Sequence, residues 1–173
     1  SVIFLFLFLP AVVAGYFLIP KRCRRGRNWL LLVASLLFYY YGEPKGILIM
    51  LASIVINYAA ARGLAAFRFA ACRRLLLALA LSANLGIIGY FKYTGFLLQT
   101  VNGITGADIA IPSILMPIGI SFFTFQGMSY LLDVYLGRVR AERNLINVAM
   151  YISLFPQLVA GPIVRYNSID AEL

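Results

Sequence analysis

Histidine is absent from the 173 residues, and other reactive or charged side chains are scarce. Without histidine, no Ser-His-Asp triad, Cys-His pair or histidine-ligated zinc site can be completed within this chain. Charged residues are 12% of the total, about half of the roughly 25% usual in soluble domains. Hydrophobic residues are 62%, so too few polar side chains remain to cover a globule in water. The same balance excludes an intrinsically disordered chain, which needs low hydrophobicity and high charge. Only two cysteines occur, Cys23 and Cys72, each inside a basic segment. They are too few for a disulfide framework or a metal site. A phosphate-cradling loop is also missing, because Gly103-Ile104-Thr105-Gly106 lacks the Lys-Ser/Thr that should follow. Period-2 alternation over about ten residues, the mark of an outer-membrane barrel, is not found either. The solvent for most of this chain is lipid.

What is present is positive charge, in chosen places. The formal net charge is +9, with 15 Lys and Arg against six Asp and Glu. Lys21, Arg22, Arg24, Arg25 and Arg27 form one cluster, and Arg62, Arg68, Arg73 and Arg74 a second. Arg138, Arg140 and Arg143 follow a long apolar run. Basic residues confined to alternate connections between apolar runs belong to cytoplasmic loops of a membrane protein, not to a nucleic-acid binder. The expected partner is the lipid bilayer, and no nucleic acid. Both cysteines then face a reducing compartment, where a disulfide is not expected.

A spanning helix needs about 20 predominantly apolar residues. Residues 2–19 read as the first span, ended by Pro20 and the basic cluster. Residues 29–41 and 47–61 form two shorter runs joined by the tight turn Gly42-Glu43-Pro44-Lys45-Gly46, with Tyr39, Tyr40 and Tyr41 as an interfacial belt. They read as full spans of a thinned bilayer or as a shallow hairpin. Residues 75–91 make the next span, closed at Lys92. Residues 92–112, with Gly95, Gly103, Gly106 and Pro112, read as a long connection. Pro117 suits the first turn of a span over 117–136. The last run, 145–164, is interrupted at Pro156 and Gly161-Pro162. The net charges of the successive connections are +5 (21–27), 0 (42–46), +4 (62–74), 0 (92–112) and +2 (137–144). That alternation predicts the N-terminus outside and the basic loops in the cytoplasm. The expected fold is all-α: a polytopic helical transmembrane protein with about five or six membrane helices, one of them interrupted by Pro and Gly. Residues 1–173 form one membrane region, expected to be the N-terminal part of a longer protein.

Polar residues inside such helices need partners, since unsatisfied groups cost several kcal/mol in hydrocarbon. Gln126, Ser129, Tyr130 and Asp133 stand at i, i+3, i+4 and i+7, which places them on one helical stripe with Gly119 two turns back. The stripe should face the bundle interior or a wet cavity. Interhelical hydrogen bonding and cavity lining both account for Gln126, Ser129 and Tyr130, while pairing with Arg138 or Arg140 suffices for Asp133. The broken run around Pro156 is a pointer to a binding site. Gln157 sits within it and Arg165 just beyond, either as an anion clamp or as a snorkelling side chain at the membrane surface. Arg62 to Arg74 reads as a positive loop, or as a segment lying flat on the leaflet.

Two stretches carry a resemblance. Met116-Pro117-Ile118-Gly119-Ile120-Ser121-Phe122-Phe123-Thr124-Phe125-Gln126-Gly127-Met128-Ser129-Tyr130, followed by Asp133-Val134-Tyr135, is similar to a motif of the membrane-bound O-acyltransferases. Tyr151-Ile152-Ser153-Leu154-Phe155-Pro156-Gln157-Leu158-Val159-Ala160-Gly161-Pro162-Ile163-Val164-Arg165-Tyr166 resembles a second. The alginate O-acetyltransferase subgroup looks nearest. Residues 1–112 add only hydropathy and Phe91-Lys92-Tyr93. The resemblance implies a bacterial inner-membrane, multi-pass enzyme that moves an acetyl-type group to hydroxyls of an extracytoplasmic polysaccharide. It also implies an acyl donor, and a partner protein that modifies polysaccharide or carries acyl groups. No cofactor is expected to be bound by this chain itself. The family's catalytic histidine lies downstream of both motifs, so no catalytic residue is assigned here and this chain alone is expected to be inert. Gln126, Ser129, Tyr130, Asp133, Gln157 and Arg165 are the candidates for lining the substrate tunnel. A transporter or a membrane anchoring and assembly subunit are the alternatives that composition leaves open.

Overall fold

The computed structural model describes residues 7–20 and 23–153. Those residues form six α-helices and no strand: α1 (Leu9–Leu18), α2 (Arg24–Gly42), α3 (Gly46–Ala66), α4 (Ala70–Thr105), α5 (Ile120–Tyr135) and α6 (Leu145–Ser153). The interruption expected at Pro156 and Gly161-Pro162 lies outside the described residues.

Two of the helices, α3 and α4, are long and apolar enough to cross a membrane. α3 has 21 residues, about 31 Å at 1.5 Å per residue, the thickness of a hydrocarbon core. Of the first expected span, residues 2–6 lie outside the described residues. α1 has 10 residues, about 15 Å, with Pro10 in its first turn. α2 is longer than its apolar run, because the helix starts back in the basic cluster at Arg24.

The largest departure from the sequence reading is α4. Residues 92–105, expected as a connection, continue the helix without a break. The whole element is 36 residues, about 54 Å. A helix does not have to end where its apolar run ends. Gly95 and Gly103 lower helix propensity but do not break the hydrogen-bond ladder. The stop comes at Gly106, whose φ of 69° and amide bond to the carbonyl of Asn102 form a left-handed cap. A similar correction applies at α5. Pro117 lies in the turn before the helix, and Gly119 is the N-cap at φ 74° instead of a member of the polar stripe. The segment from Arg62 to Arg74 is mostly helix, with only residues 67–69 turning the chain between α3 and α4.

The outside of this bundle is apolar and its inside is partly polar. Leu75, Leu79, Leu85 and Phe96 of α4 are exposed, as are Leu48 and Val55 of α3. Facing inward on α4 are Leu77, Ala80, Asn84 and Ile88, spaced by three and four residues. On α3 the buried row runs through Met50, Ser53, Ile54, Asn57, Ala61 and Leu64. Where the rows meet, the fully buried amides of Asn57 and Asn84 bond reciprocally, each Nδ2 donating to the other's Oδ1 at 3.1 Å. The second donor of each amide goes to a carbonyl one turn back, Ser53 or Ala80, both at 2.8 Å. Asn57 Nδ2 also lies 3.2 Å from the Ser53 hydroxyl oxygen.

Gly127 of α5 rests directly on this pair. A Cβ at that position would stand 2.7 Å from Cγ of Asn57, too close for any real contact. α5 can therefore approach α3 only as glycine, and the Asn pair fixes where it docks. Asn84→Ala leaves a buried amide short of a partner and should cost about 1–3 kcal/mol in detergent or lipid. The Asn57→Ala and Asn84→Ala pair should be less than additive by about 1 kcal/mol. Gly127→Ala should destabilise by a further ~1–3 kcal/mol from overpacking, and by much less when Asn57 is already Ala. Thermal or denaturant unfolding of the three single and two double variants checks all of this.

Candidate functional site

The polar stripe of α5 faces the bundle interior. Gln126, Tyr130 and Asp133 are 3%, 0% and 4% exposed, while Ser129 is half-buried and takes no part in the bonding of the other three. α5 is buried on a broad face because α3, α4 and α6 all pack on it. Gln126 donates from Nε2 to the carbonyl of Tyr151 at 2.9 Å, tying α5 to α6. One turn later the ring of Tyr130 packs near that of Tyr151, with centroids 6.4 Å apart. Its hydroxyl accepts the Glu142 amide at 2.8 Å. Asp133 pairs with Arg138 at 3.4 Å, the sole ion pair among the described residues. The other carboxylate oxygen of Asp133 is buried without a hydrogen bond.

Tyr130 and Asp133 anchor the α5–α6 loop, and Gln126 holds α6 itself. Above them, Glu142 Oε1 accepts the amides of Arg143 and Asn144 at 2.7 and 2.9 Å. Asn144 Oδ1 accepts the Ile146 amide at 3.0 Å and so caps α6. The Tyr58 hydroxyl of α3 donates to the Arg143 carbonyl at 2.8 Å. Gln157 and Arg165, the other two sequence candidates, lie outside the described residues.

Several buried polar groups were not singled out from sequence. Asn57 and Asn84 are the clearest, and Asn28 donates to Asn147 at 3.2 Å between α2 and α6. An Asn inside an apolar run is itself a signal of a functional or bridging position. Thr124 and Ser35 are fully buried with no hydrogen-bond partner for their hydroxyls. At the end of the bundle away from the basic segments, the Tyr39 hydroxyl donates to the Ile118 carbonyl at 2.8 Å. A cavity of about 340 Å³ opens there, lined by Glu43, Lys45, Tyr90, Phe91, Ser113 and Pro117 among others. It offers a carboxylate, an ammonium and a hydroxyl beside aromatic rings, a mixture suited to a polar ligand with an apolar side. No group of three or more metal-ligating side chains occurs among the described residues.

Relatives decide the family. Over 175 positions the chain is 39% identical to the probable alginate O-acetylase AlgI of Pseudomonas aeruginosa, covering 98% of this chain. It is 38% identical to the protein of the same name from Azotobacter vinelandii, again over 98% of the chain. The peptidoglycan O-acetyltransferase of Helicobacter pylori is 34% identical over 96% of it. The chain belongs to the membrane-bound O-acyltransferase family. It spans about a third of the length of these relatives, 33%, 34% and 37% respectively. No family model matches the chain, and no solved structure does. Within this O-acyltransferase segment, the first motif stretch touches the first residue of the second, whose residues 154–166 lie outside the described residues. The first forms α5, and the second opens at Tyr151, where Gln126 and Tyr130 make their contacts.

Proposed function

We propose that this chain is the part of a polysaccharide O-acetyltransferase that builds one wall of its membrane-embedded reaction chamber. The observation that carries this is the near-complete match of the chain to the alginate O-acetylases. The inward polar face of α5 supports it, because a family motif buried at such cost in desolvation needs a use. In the whole protein, a general base takes the proton of an acceptor hydroxyl as that oxygen attacks the acyl carbonyl. The family assigns that base to a histidine, which this chain does not contain. Gln126, Ser129, Tyr130, Asp133, Gln157 and Arg165 are proposed as lining or scaffold, not as the base. The acyl donor and a partner protein that carries acyl groups or handles polysaccharide belong to the same proposal. The relatives named above are acetylases and acetyltransferases, and none favours the transporter alternative.

The basic segments gather at one end of the bundle, and we place that end in the cytoplasm of a bacterial inner-membrane, multi-pass protein. Residues 105–119 then face outward, together with the N-terminus. The native Cys23 and Cys72 are both exposed at the basic end. A membrane-impermeant maleimide should label them only from the cytoplasmic side. In a Cys-free background, Asp108→Cys should label only from the outside. Labelling of all three from one side overturns this orientation.

Activity gives the second test. In the full-length protein, Gln126→Ala should lower acetyl transfer to polysaccharide by about tenfold or more, as expected when a positioning hydrogen bond is lost. Membrane insertion should be unchanged. Full activity of that variant, read as acetate released from the polysaccharide by mild alkali, removes Gln126 from the chamber.

A further inference from the structure

Four arginines from three separate elements converge on one hollow at the basic end. Arg62 of α3, Arg73 of α4, and Arg140 and Arg143 of the α5–α6 loop line a cavity of about 300 Å³, with Val134 and Val139 among the apolar lining. Loop placement of positive charge is explained by membrane topology, but convergence on a single small volume is not. Like charges brought together in this way repel unless something neutralises them. Among the described residues the one ion pair is Asp133 with Arg138, so no described carboxylate lies within ion-pairing distance of any of the four.

The surroundings add to the positive potential. α4 begins at Ala70 with no acidic residue in its first turn and no side-chain cap, leaving the positive end of its dipole unopposed. Arg73 spends one nitrogen on the α5 terminus, donating from Nη2 to the Tyr135 carbonyl at 3.0 Å, while its Nε is buried with no partner. The loop bearing Arg140 and Arg143 is held by Tyr58 and by the Glu142 carboxylate, which turns to backbone amides. Arg73 and the loop are thus positioned by contacts within the chain.

We propose that this cavity binds a phosphate group, presented either by an anionic phospholipid headgroup or by a soluble phosphate ester. Guanidinium forks suit phosphate oxygens because two parallel N–H donors match their spacing. The volume is at the small end of ligand pockets, adequate for a phosphate and a short alcohol substituent. This assignment stands apart from the acyl-transfer reading and does not need it.

The test uses the full-length protein in nanodiscs of zwitterionic lipid, with phosphatidylglycerol or inorganic pyrophosphate as alternative probes. Native mass spectrometry reads retained phosphatidylglycerol, and calorimetry reads pyrophosphate. At least one probe should bind, and Arg140→Gln with Arg143→Gln should weaken it by about tenfold or more. Arg138→Gln removes the same charge from the same loop without touching the cavity, so it should change binding little. Arg62→Gln on α3 gives an independent second variant should the loop pair fail to fold. Binding of phosphatidylglycerol alone assigns the site to lipid, and of pyrophosphate alone to a soluble ester. Binding of neither, or equal weakening by Arg138→Gln, overturns the proposal.

Discussion

The rest of the structure depends on the hydrogen-bonded amides of Asn57 and Asn84 beneath Gly127. Hydrocarbon offers no water to satisfy a primary amide, so two such groups must find each other or be expelled. Here each gives one donor to its partner and one to its own helix. That closure fixes the register of α3 against α4. The missing side chain of Gly127 then lets α5 lie on the pair, so one polar contact positions three helices. Lipid supplies little hydrophobic drive between helices, which leaves packing and interior hydrogen bonds as the source of specificity.

From that junction the candidate site follows by geometry. α5 presents Gln126, Tyr130 and Asp133 one turn apart, toward α6 and the loop before it. Their partners are a helix carbonyl, a loop amide and an arginine, so the seam is rigid. Arginine has a further part at the basic end. Arg27 closes α1 by donating from Nε and Nη2 to the Ile19 carbonyl at 3.0 and 2.7 Å. Arg73 does the same for α5, and both are cations at a helix C-terminus, where the dipole favours them. Their positive charge thus has structural work besides the orientation proposed for the chain.

Much of this was legible in the amino-acid order. Composition announced lipid as solvent, and the six helices appear in the order in which the apolar runs stand. The i, i+3, i+4, i+7 stripe of α5 does point inward, because a helix has one period and its polar residues had nowhere else to go. Asp133 meets Arg138, one of the two partners its position suggested. The length of α4 was not legible. Bilayer thickness limits a span, but a helix continues into water until a left-handed residue such as Gly106 stops it. Gly119 was misplaced for a related reason, since a cap and a stripe position can share a spacing. The Asn57–Asn84 contact joins residues 27 apart, and no local pattern encodes which buried amide will meet which. The convergence of Arg62, Arg73, Arg140 and Arg143 is likewise a product of tertiary packing.

The central claim is that this amide pair is intact and dry inside a lipid bilayer. Solid-state NMR on the protein in lipid, with Asn side chains labelled in carbon and nitrogen, measures it directly. A through-space correlation between Nδ2 of Asn57 and Cγ of Asn84, with amide protons that resist exchange into deuterated water, is the predicted result. Absence of that correlation in a folded sample, or rapid exchange at either side chain, would contradict the account.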